Sequence, residues 1–449
     1  GWKEPGVKRV SSFLTLLSLV FLAYVVGQFS AWTHAFPFEP HFRKSFVGLQ
    51  AFWDQYSRLG DDYISDVWMP VSMRRDSGGV TVHSAEQAAA GYTLLAVGQS
   101  AVLIDMDGRV LHRWQVSYPE LMSEEAKLET PPPDTRLYWK PVRLLPEGEL
   151  LVVVDLEGAT PEGLALAKID RDSNVLWVRH DYVHHDFDID SQGNIYVLDQ
   201  RIRNDELANL PRIKAPYLDE AVVVLSPDGE VLKRISTIDA FSRSPYSTML
   251  NSLAVQDTLR WGDYLHSNNV EVIEEGLPGR ADFLKPGRVL LSFREISTIA
   301  VLDLEQAEIV WAARGVWHFQ HDPDLLENGN IMLFDNQGDW GRGGQSRVLE
   351  LNPETMEIVW SYPTRAKGAL SSSYRSEQQL LPNGNVLINE FTSGRLLEVN
   401  RAGDIVWEYF CPFRYARNEQ YVCRVMHATR YAPDEIDFEF NHAQTAAKD

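Results

Sequence analysis

Four histidines of this chain, His185, His266, His321 and His427, fall at one place in a repeated pattern, each opening a short β-type run. Aligning KPVRLLPEGELLVVVD, HDFDIDSQGNIYVLDQ, HDPDLLENGNIMLFDN and SEQQLLPNGNVLINEF on Gly148, Gly193, Gly329 and Gly384 puts Lys140, His185, His321 and Ser376 eight residues ahead of the glycine. HSNNVEVI begins another copy at His266, reaching Gly287 after an insertion, and HATRYAPDEIDFEF begins the last at His427. The chain has only 12 histidines, and neither a turn nor an apolar core requires imidazole. Lys140 and Ser376 occupy the same position in sister copies, so the turn does not select histidine.

Seven residues beyond Gly287 stands Arg294, in LLSFREIS, and the matching positions of two other copies hold Gln200 and Asn336. A guanidinium presents a fork of donors suited to a tetrahedral oxyanion. Imidazoles beside a guanidinium support two chemistries. In the first, a neutral imidazole takes a sulfuryl or phosphoryl group onto nitrogen, while the cation and the other histidines stabilise its oxygens and protonate the leaving phenolate. In the second, four imidazoles hold a divalent metal on a common axis. Arg294 discriminates between them, because a cation disfavours a metal ion and favours an anion. Lys140, His427, Asn268 and Asn336 are further candidates for substrate contact. The off-register histidines His112, His180, His184 and His318 are assigned structural roles.

The elements that must position these groups are strands. From Gly91 onward short β-type runs alternate with turn signals, and internal repetition is the first thing to seek in such a chain. A hairpin unit recurs in AVLIDMDGRVLHRW, LALAKIDRDSNVLWV, AVVVLSPDGEVLKRI, TIAVLDLEQAEIVWA, RVLELNPETMEIVWS and RLLEVNRAGDIVWEY. Joined to the unit that opens at the aligned position, it supplies four strands per repeat, the make-up of a propeller blade. The first hairpin precedes any inner pair, and the pair from His427 has no hairpin after it. The sequence therefore predicts an all-β, six-bladed propeller over residues 91–440, its last blade closed by both termini, with a tail at 441–449. Innermost strands start at one mouth of the channel, so the aligned residues should converge there.

A length of 449 residues with 44% hydrophobic content supports a large core. The net charge of -21 excludes a nucleic-acid backbone as partner, since that binding needs Lys and Arg to neutralise phosphates. Residues 10–32, VSSFLTLLSLVFLAYVVGQFSAW, contain no charge and predict a single transmembrane helix across a hydrocarbon layer of about 30 Å. Lys3, Lys8 and Arg9 lie in the segment 1–9 before it, which predicts a cytoplasmic N-terminus and a propeller on the periplasmic side of an inner membrane, with membrane lipid as a partner. Within the linker expected at 33–90, Phe46, Leu49, Phe52, Trp53 and Tyr56 at helical spacing predict an amphipathic helix, on the bilayer or on the domain's edge. Cys411 and Cys423 are read either as a disulfide closing a short loop or as two buried thiols.

At the histidine motifs the chain resembles the bacterial arylsulfotransferases, periplasmic enzymes that move sulfate between phenols without a nucleotide donor. GYTLLAVGQSAVLIDMDGRVLHRW is similar to that family's first hairpin. HHDFDI, HSNN followed by LLSFR, and QHDPDLLENGNIMLFDN are similar to its three histidine motifs in the same order. The resemblance implies a six-bladed propeller, an aryl sulfate donor, a phenolic acceptor and no cofactor. It makes His321 the nucleophile that is transiently sulfated, with His185, His266 and Arg294 binding and polarising the sulfuryl group. The predicted membrane helix departs from the usual soluble member, so a non-catalytic propeller subunit of a membrane complex stays open beside the transferase and the four-histidine metal enzyme.

Overall fold

The structure, a computed structural model, describes residues 15, 17–27, 64–73, 78–122, 132, 134–207, 210, 213, 215–250, 262–275, 281–339, 345–364 and 368–440. The chain divides into two units, Gly1–Tyr63 and Ile64–Asp449. In the first, residues 15 and 17–27 are helical with exposed side chains. No helix among the described residues is long and apolar enough to cross a membrane. The span expected over 10–32 falls only partly on described residues, and the amphipathic helix around Phe46 to Tyr56 falls outside them.

The second unit is mostly β. Sheet 1 runs Leu137–Leu144, Leu150–Leu156, Ala165–Ile169 and Val175–Arg179, each strand bonded to the next in chain order. Sheet 2 is built the same way from Val183–Ile189, Ile195–Arg203, Tyr217–Leu225 and Val231–Ser236. Sheet 3 comprises Ser267–Val272, Arg288–Phe293, Thr298–Asp303 and Glu308–Arg314, and sheet 4 comprises His321–Leu325, Ile331–Asp339, Gln345–Leu351 and Ile358–Tyr362. Sheet 5 starts Glu377–Leu380, Val386–Glu390, Arg395–Val399, Ile405–Phe410. Sheet 6 joins a late stretch to an early one: His427–Tyr431 pairs antiparallel with Tyr92–Val97, which continues into Ser100–Ile104 and Val110–Gln115.

The innermost strands pack on one another in a closed cycle. Leu137–Leu144 meets Val183–Ile189, which meets Ser267–Val272, then His321–Leu325, Glu377–Leu380 and His427–Tyr431, which returns to Leu137–Leu144. This is a β-propeller. A strand buried between neighbouring sheets is covered on both faces, which explains why Leu150–Leu156 is apolar but for Asp155 and buried at every residue. The outer strand Val231–Ser236 has lost that cover and is exposed over its first half.

Inner strands that splay from an axis leave main-chain donors facing one another's edges, and each buried donor needs a partner. Carboxylates supply them: Asp186 accepts from Val270 N–H (2.9 Å), Asp322 from Gln378 N–H (2.9 Å) and Glu377 from Ala428 N–H (2.6 Å). At the join between sheets 5 and 6, Arg430 pairs with the buried Glu398 and lies 4.5 Å over the Trp407 ring.

One expectation needs correction. The stretch read as linker supplies strands from Trp68 onward: Trp68–Pro70 pairs with Asn418–Cys423, and Gly79–His83 is a fifth strand on the outer edge of sheet 5. Both are short, and an edge strand of five residues carries too little periodicity to stand out. Of the two readings of Cys411 and Cys423, the structure has the second: both are buried free thiols.

Candidate active site

The inner strands of sheets 1 to 4 are not regular where they start. Their register slips between Trp139 and Val142, His184 and Phe187, Ser267 and Asn269, and His321 and Asp324. A bulge of this kind re-aims side chains at a strand's end. It goes with left-handed backbone at His185 (φ 59°), His266 (φ 53°) and Asp322 (φ 54°), each costing about 1–3 kcal/mol for a residue with a Cβ. Strain repeated at one level of the fold marks the place where the surrounding structure is made to hold it.

His321 is buried, with 5% of its surface exposed. Its Nδ1 faces two acceptors, Asn336 Oδ1 at 2.7 Å and Phe319 O at 3.2 Å, so Nδ1 carries the proton and Nε2 the lone pair. Asn336 is itself fixed by donating to Ser372 O and Arg375 O. Its role is thus to orient His321 rather than to meet a substrate, as its sequence position had suggested. Nε2 accepts one long bond, 3.2 Å, from Arg375 N–H. Behind His321, Gln320 donates to Ser292, Phe293 and Thr298, while Asn268 donates to Gln320 O, so Asn268 also acts on the scaffold.

His266 and His185 meet in a T-shaped contact with ring centroids 4.7 Å apart. His266 Nδ1 is 2.5 Å from Asp263 Oδ2, a pairing that leaves Nε2 as the free nitrogen. His185 Nδ1 lies 2.7 Å from His184 Nδ1 and 3.3 Å from Glu162 Oε2. His184, assigned a scaffold role from sequence, therefore sits inside the histidine group.

Burial is the main force on the protonation of this group. It pushes His185 and His321 well below the ordinary 6.5, helped by the charge of His266 at His185 and of Arg294 at His321. Both imidazoles are therefore neutral at physiological pH and nucleophilic. Lys140 also acts on both, and burial pulls its own pKa down against the attraction of Glu377. Arg294 is held by Glu295 at 2.8 Å and lies 4.8 Å over Phe319. Neutral imidazoles, a lysine and a guanidinium around one locus suit an anion whose centre accepts a nitrogen lone pair.

Two aligned residues are turned elsewhere. His427 is engaged at both nitrogens, Nδ1 with Glu377 at 3.0 Å and Nε2 with Thr429 at 3.0 Å. Ser376 donates to Ser372 and accepts from Phe391 N–H, binding the start of sheet 5 together. The cavity of about 350 Å³ between the inner strands is lined by Asp186, Asp322, Asp324, Glu377, Gln378 and His427. The four-histidine metal centre does not form: among the described residues, the group whose ligand atoms lie within 4.8 Å of one another is Glu162, His184 and His185.

Sequence reasoning missed Glu162, Asp263 and Arg375. Asp263 had a signal, standing three residues before His266, and Arg375 directly precedes the aligned Ser376. Glu162 had none, because it reaches His185 from a loop of another sheet.

The arylsulfotransferase (ASST) family profile matches residues 144–412. A search of curated protein sequences finds no match to this chain. Among solved structures, a protein of unknown function from Bacteroides caccae is similar at 12% identity and a TM-score of 0.47, over 76% of this chain and 99% of that one. A streptogramin B lyase is similar at 11% identity and a TM-score of 0.38, over 80% and 89%. The virginiamycin B lyase of Staphylococcus aureus is similar at 10% identity and a TM-score of 0.34, over 62% and 71%.

Proposed function

The chain belongs to the arylsulfotransferase family, and from that premise we propose that it moves a sulfuryl group from an aryl sulfate to a phenol through a transiently sulfated His321. The protein that does so is read as a six-bladed propeller, its last blade closed by both termini, anchored in the inner membrane by residues 10–32 and facing the periplasm. The observation that carries the reading is the fixed tautomer of His321: Nδ1–H is committed to Asn336, so Nε2 holds a lone pair among cationic neighbours.

In the first half-reaction Nε2 attacks sulfur, the bond from sulfur to the aryl oxygen breaks, and the aryl oxygen leaves with the electron pair as a phenolate, which takes its proton from water. Arg294 and Lys140 offset the charge on the three sulfuryl oxygens, and His185 and His266 add polar contacts. Nε2 must first give up Arg375 N–H, a bond already long at 3.2 Å. Bonding to sulfur would make the imidazole cationic, which strengthens Nδ1–H as a donor to Asn336. The second half-reaction runs the same path backwards with an acceptor phenol.

Brief exposure to an aryl sulfate should add one sulfuryl group to the peptide carrying His321, read by mass spectrometry. A peptide map with turnover but no such adduct on any histidine would sink the reading. Anchoring is tested separately, by whether the chain stays with membranes through alkaline carbonate washing and whether external protease reaches the propeller in spheroplasts.

The Glu162, His184 and His185 group favours a metal-dependent second reading. Stoichiometric transition metal in the purified protein, with activity lost on chelation and regained on reloading, would replace the sulfohistidine scheme with that one.

A further inference from the structure

We propose that the channel between the inner strands binds an aliphatic diammonium ion, a slender dication with hydrogen-bond donors at both ends. The inference stands apart from the sulfuryl chemistry, because none of the groups it uses takes part in that scheme.

Alternate residues of a strand share a face, and the inner strands of sheets 2, 3 and 4 each turn an oxygen-bearing pair to the channel: Asp186 and Asp188, Asn269 and Glu271, Asp322 and Asp324. All six line the cavity of about 350 Å³. At strand rise the two tiers lie about 7 Å apart. Cations on the wall are already engaged, Arg143 by Asp188 at 2.6 Å and His427 by Glu377 at 3.0 Å. Among the described residues no ion pair reaches Asp186, Asp322 or Asp324, and the charge of Lys140 acts on Asp186 and Asp322 only from beyond that range.

Two amides show what the cavity lacks. Gln378, 5% exposed, gives its Nε2 to Asp324 Oδ2 at 3.1 Å and to Asp322 O, and Asn269, 4% exposed, gives its Nδ2 to Asp186 Oδ2 at 3.1 Å. With both nitrogens held by the wall, the carbonyl oxygens Gln378 Oε1 and Asn269 Oδ1 are left buried without a donor. A buried acceptor without a donor is costly and rare. Both residues line the cavity, so the donor they lack is one that enters it.

The shape of the charge selects the ligand. Among the described residues no three of the cavity's carboxylates bring oxygens within 4.8 Å of one another, so the negative charge is strung along the channel rather than gathered around one point, as a bare metal ion needs. An alkyl chain with an ammonium at each end meets both tiers, and Val142 and Leu326 on the same wall suit its methylenes. Burial with the charges of Glu377 and Asp188 keeps protons on Asp322 up to about 8 and on Asp186 up to about 7, so the dication takes the place of protons and is best offered above that range.

The test is calorimetric titration of the full chain with 1,4-diaminobutane, butylamine, magnesium chloride and calcium chloride, at about pH 8.5 and fixed ionic strength. Diaminobutane should bind at one site and raise the melting temperature. Butylamine, which reaches one tier, should bind more than about tenfold more weakly. Asp324→Asn and Glu271→Gln each keep an acceptor and remove a charge, and each should weaken diaminobutane by about the same factor. No binding of diaminobutane to the parent, or equal binding of butylamine, overturns the proposal, and tighter binding of either metal ion overturns it in favour of a metal site. The parent titrations decide this whether or not the variants fold. Unchanged affinity in both variants, with intact melting curves, would put the ligand elsewhere and overturn it too.

Discussion

The two faces of the channel's inner strands are made from neighbouring residues and behave in opposite ways. His185 and Asp186, His321 and Asp322 are adjacent in sequence, and the bulges turn both members of each pair inward. On the acidic face Asp186, Asp322 and Glu377 each accept a main-chain N–H of the next sheet. On the imidazole face burial holds His185 and His321 neutral, and His321 is fixed through one nitrogen while the other holds only a long bond. The same alternation thus separates residues that hold the ring from residues free to react. Charge alone would not have drawn that line.

Substitutions on either face should break or sharpen this contrast. The largest effect expected is from His321→Asn, which should take transfer from an aryl sulfate to the background rate while the melting temperature stays within a few degrees of the parent. Retained turnover would end the nucleophile assignment. On the other face, Glu377→Ala strands the Ala428 N–H and the Nδ1 of His427, and should cost about 1–3 kcal/mol in urea unfolding.

Asn336→Ala frees the His321 tautomer and should remove about 1–3 kcal/mol of transition-state stabilisation, roughly 5- to 150-fold in kcat. An unchanged kcat would mean that Asn336 does not set the lone pair. This variant lies between the two faces, since it touches the scaffold and the nucleophile alike.

The smallest effect is on the pH dependence of stability. Burial and the charge of Glu377 push Asp322 up to about 8, and burial with Asp188 pushes Asp186 to about 7. The folded state then binds more protons than the unfolded chain between about pH 4 and 8, so this contribution is present at low pH and lost as pH rises through that window. His185 and His321 have the opposite sign: held neutral, they stabilise above 6.5 and cease to do so as pH falls. Asp322→Asn keeps an acceptor for Gln378 N–H but removes the charge. Its melting temperature should fall less between pH 5 and 8 than the parent's, and an identical slope would show that Asp322 is not protonated in the fold.

The β architecture was legible because a repeat states its own unit: turn glycines and apolar runs recur with the same spacing, and the unpaired halves at the two ends name their own partner. Gly79–His83 was not legible, since an outer edge strand is covered on one side and leaves a weak pattern. The site was legible to the level of the strand mouth. Alignment brought out His185, His266 and His321, which the structure gathers, but it equally brought out His427 and Ser376, which it turns away. Register tells which strand end a residue occupies, whereas the bulge decides which way its side chain leaves, and bulges leave no periodic trace. Partners from other sheets, Glu162 above all, lie beyond any reading of local spacing.

Sheet 6 draws its innermost strand, His427–Tyr431, from the chain's last described stretch and the other three from residues 92–115. During synthesis those three strands emerge long before the fourth exists, with the Tyr92–Val97 edge unpaired until more than three hundred residues have followed. A ribosome-bound chain is consequently an open, sticky arc for most of its translation. The strand His427–Tyr431 decides whether that arc closes on itself or pairs with a neighbour.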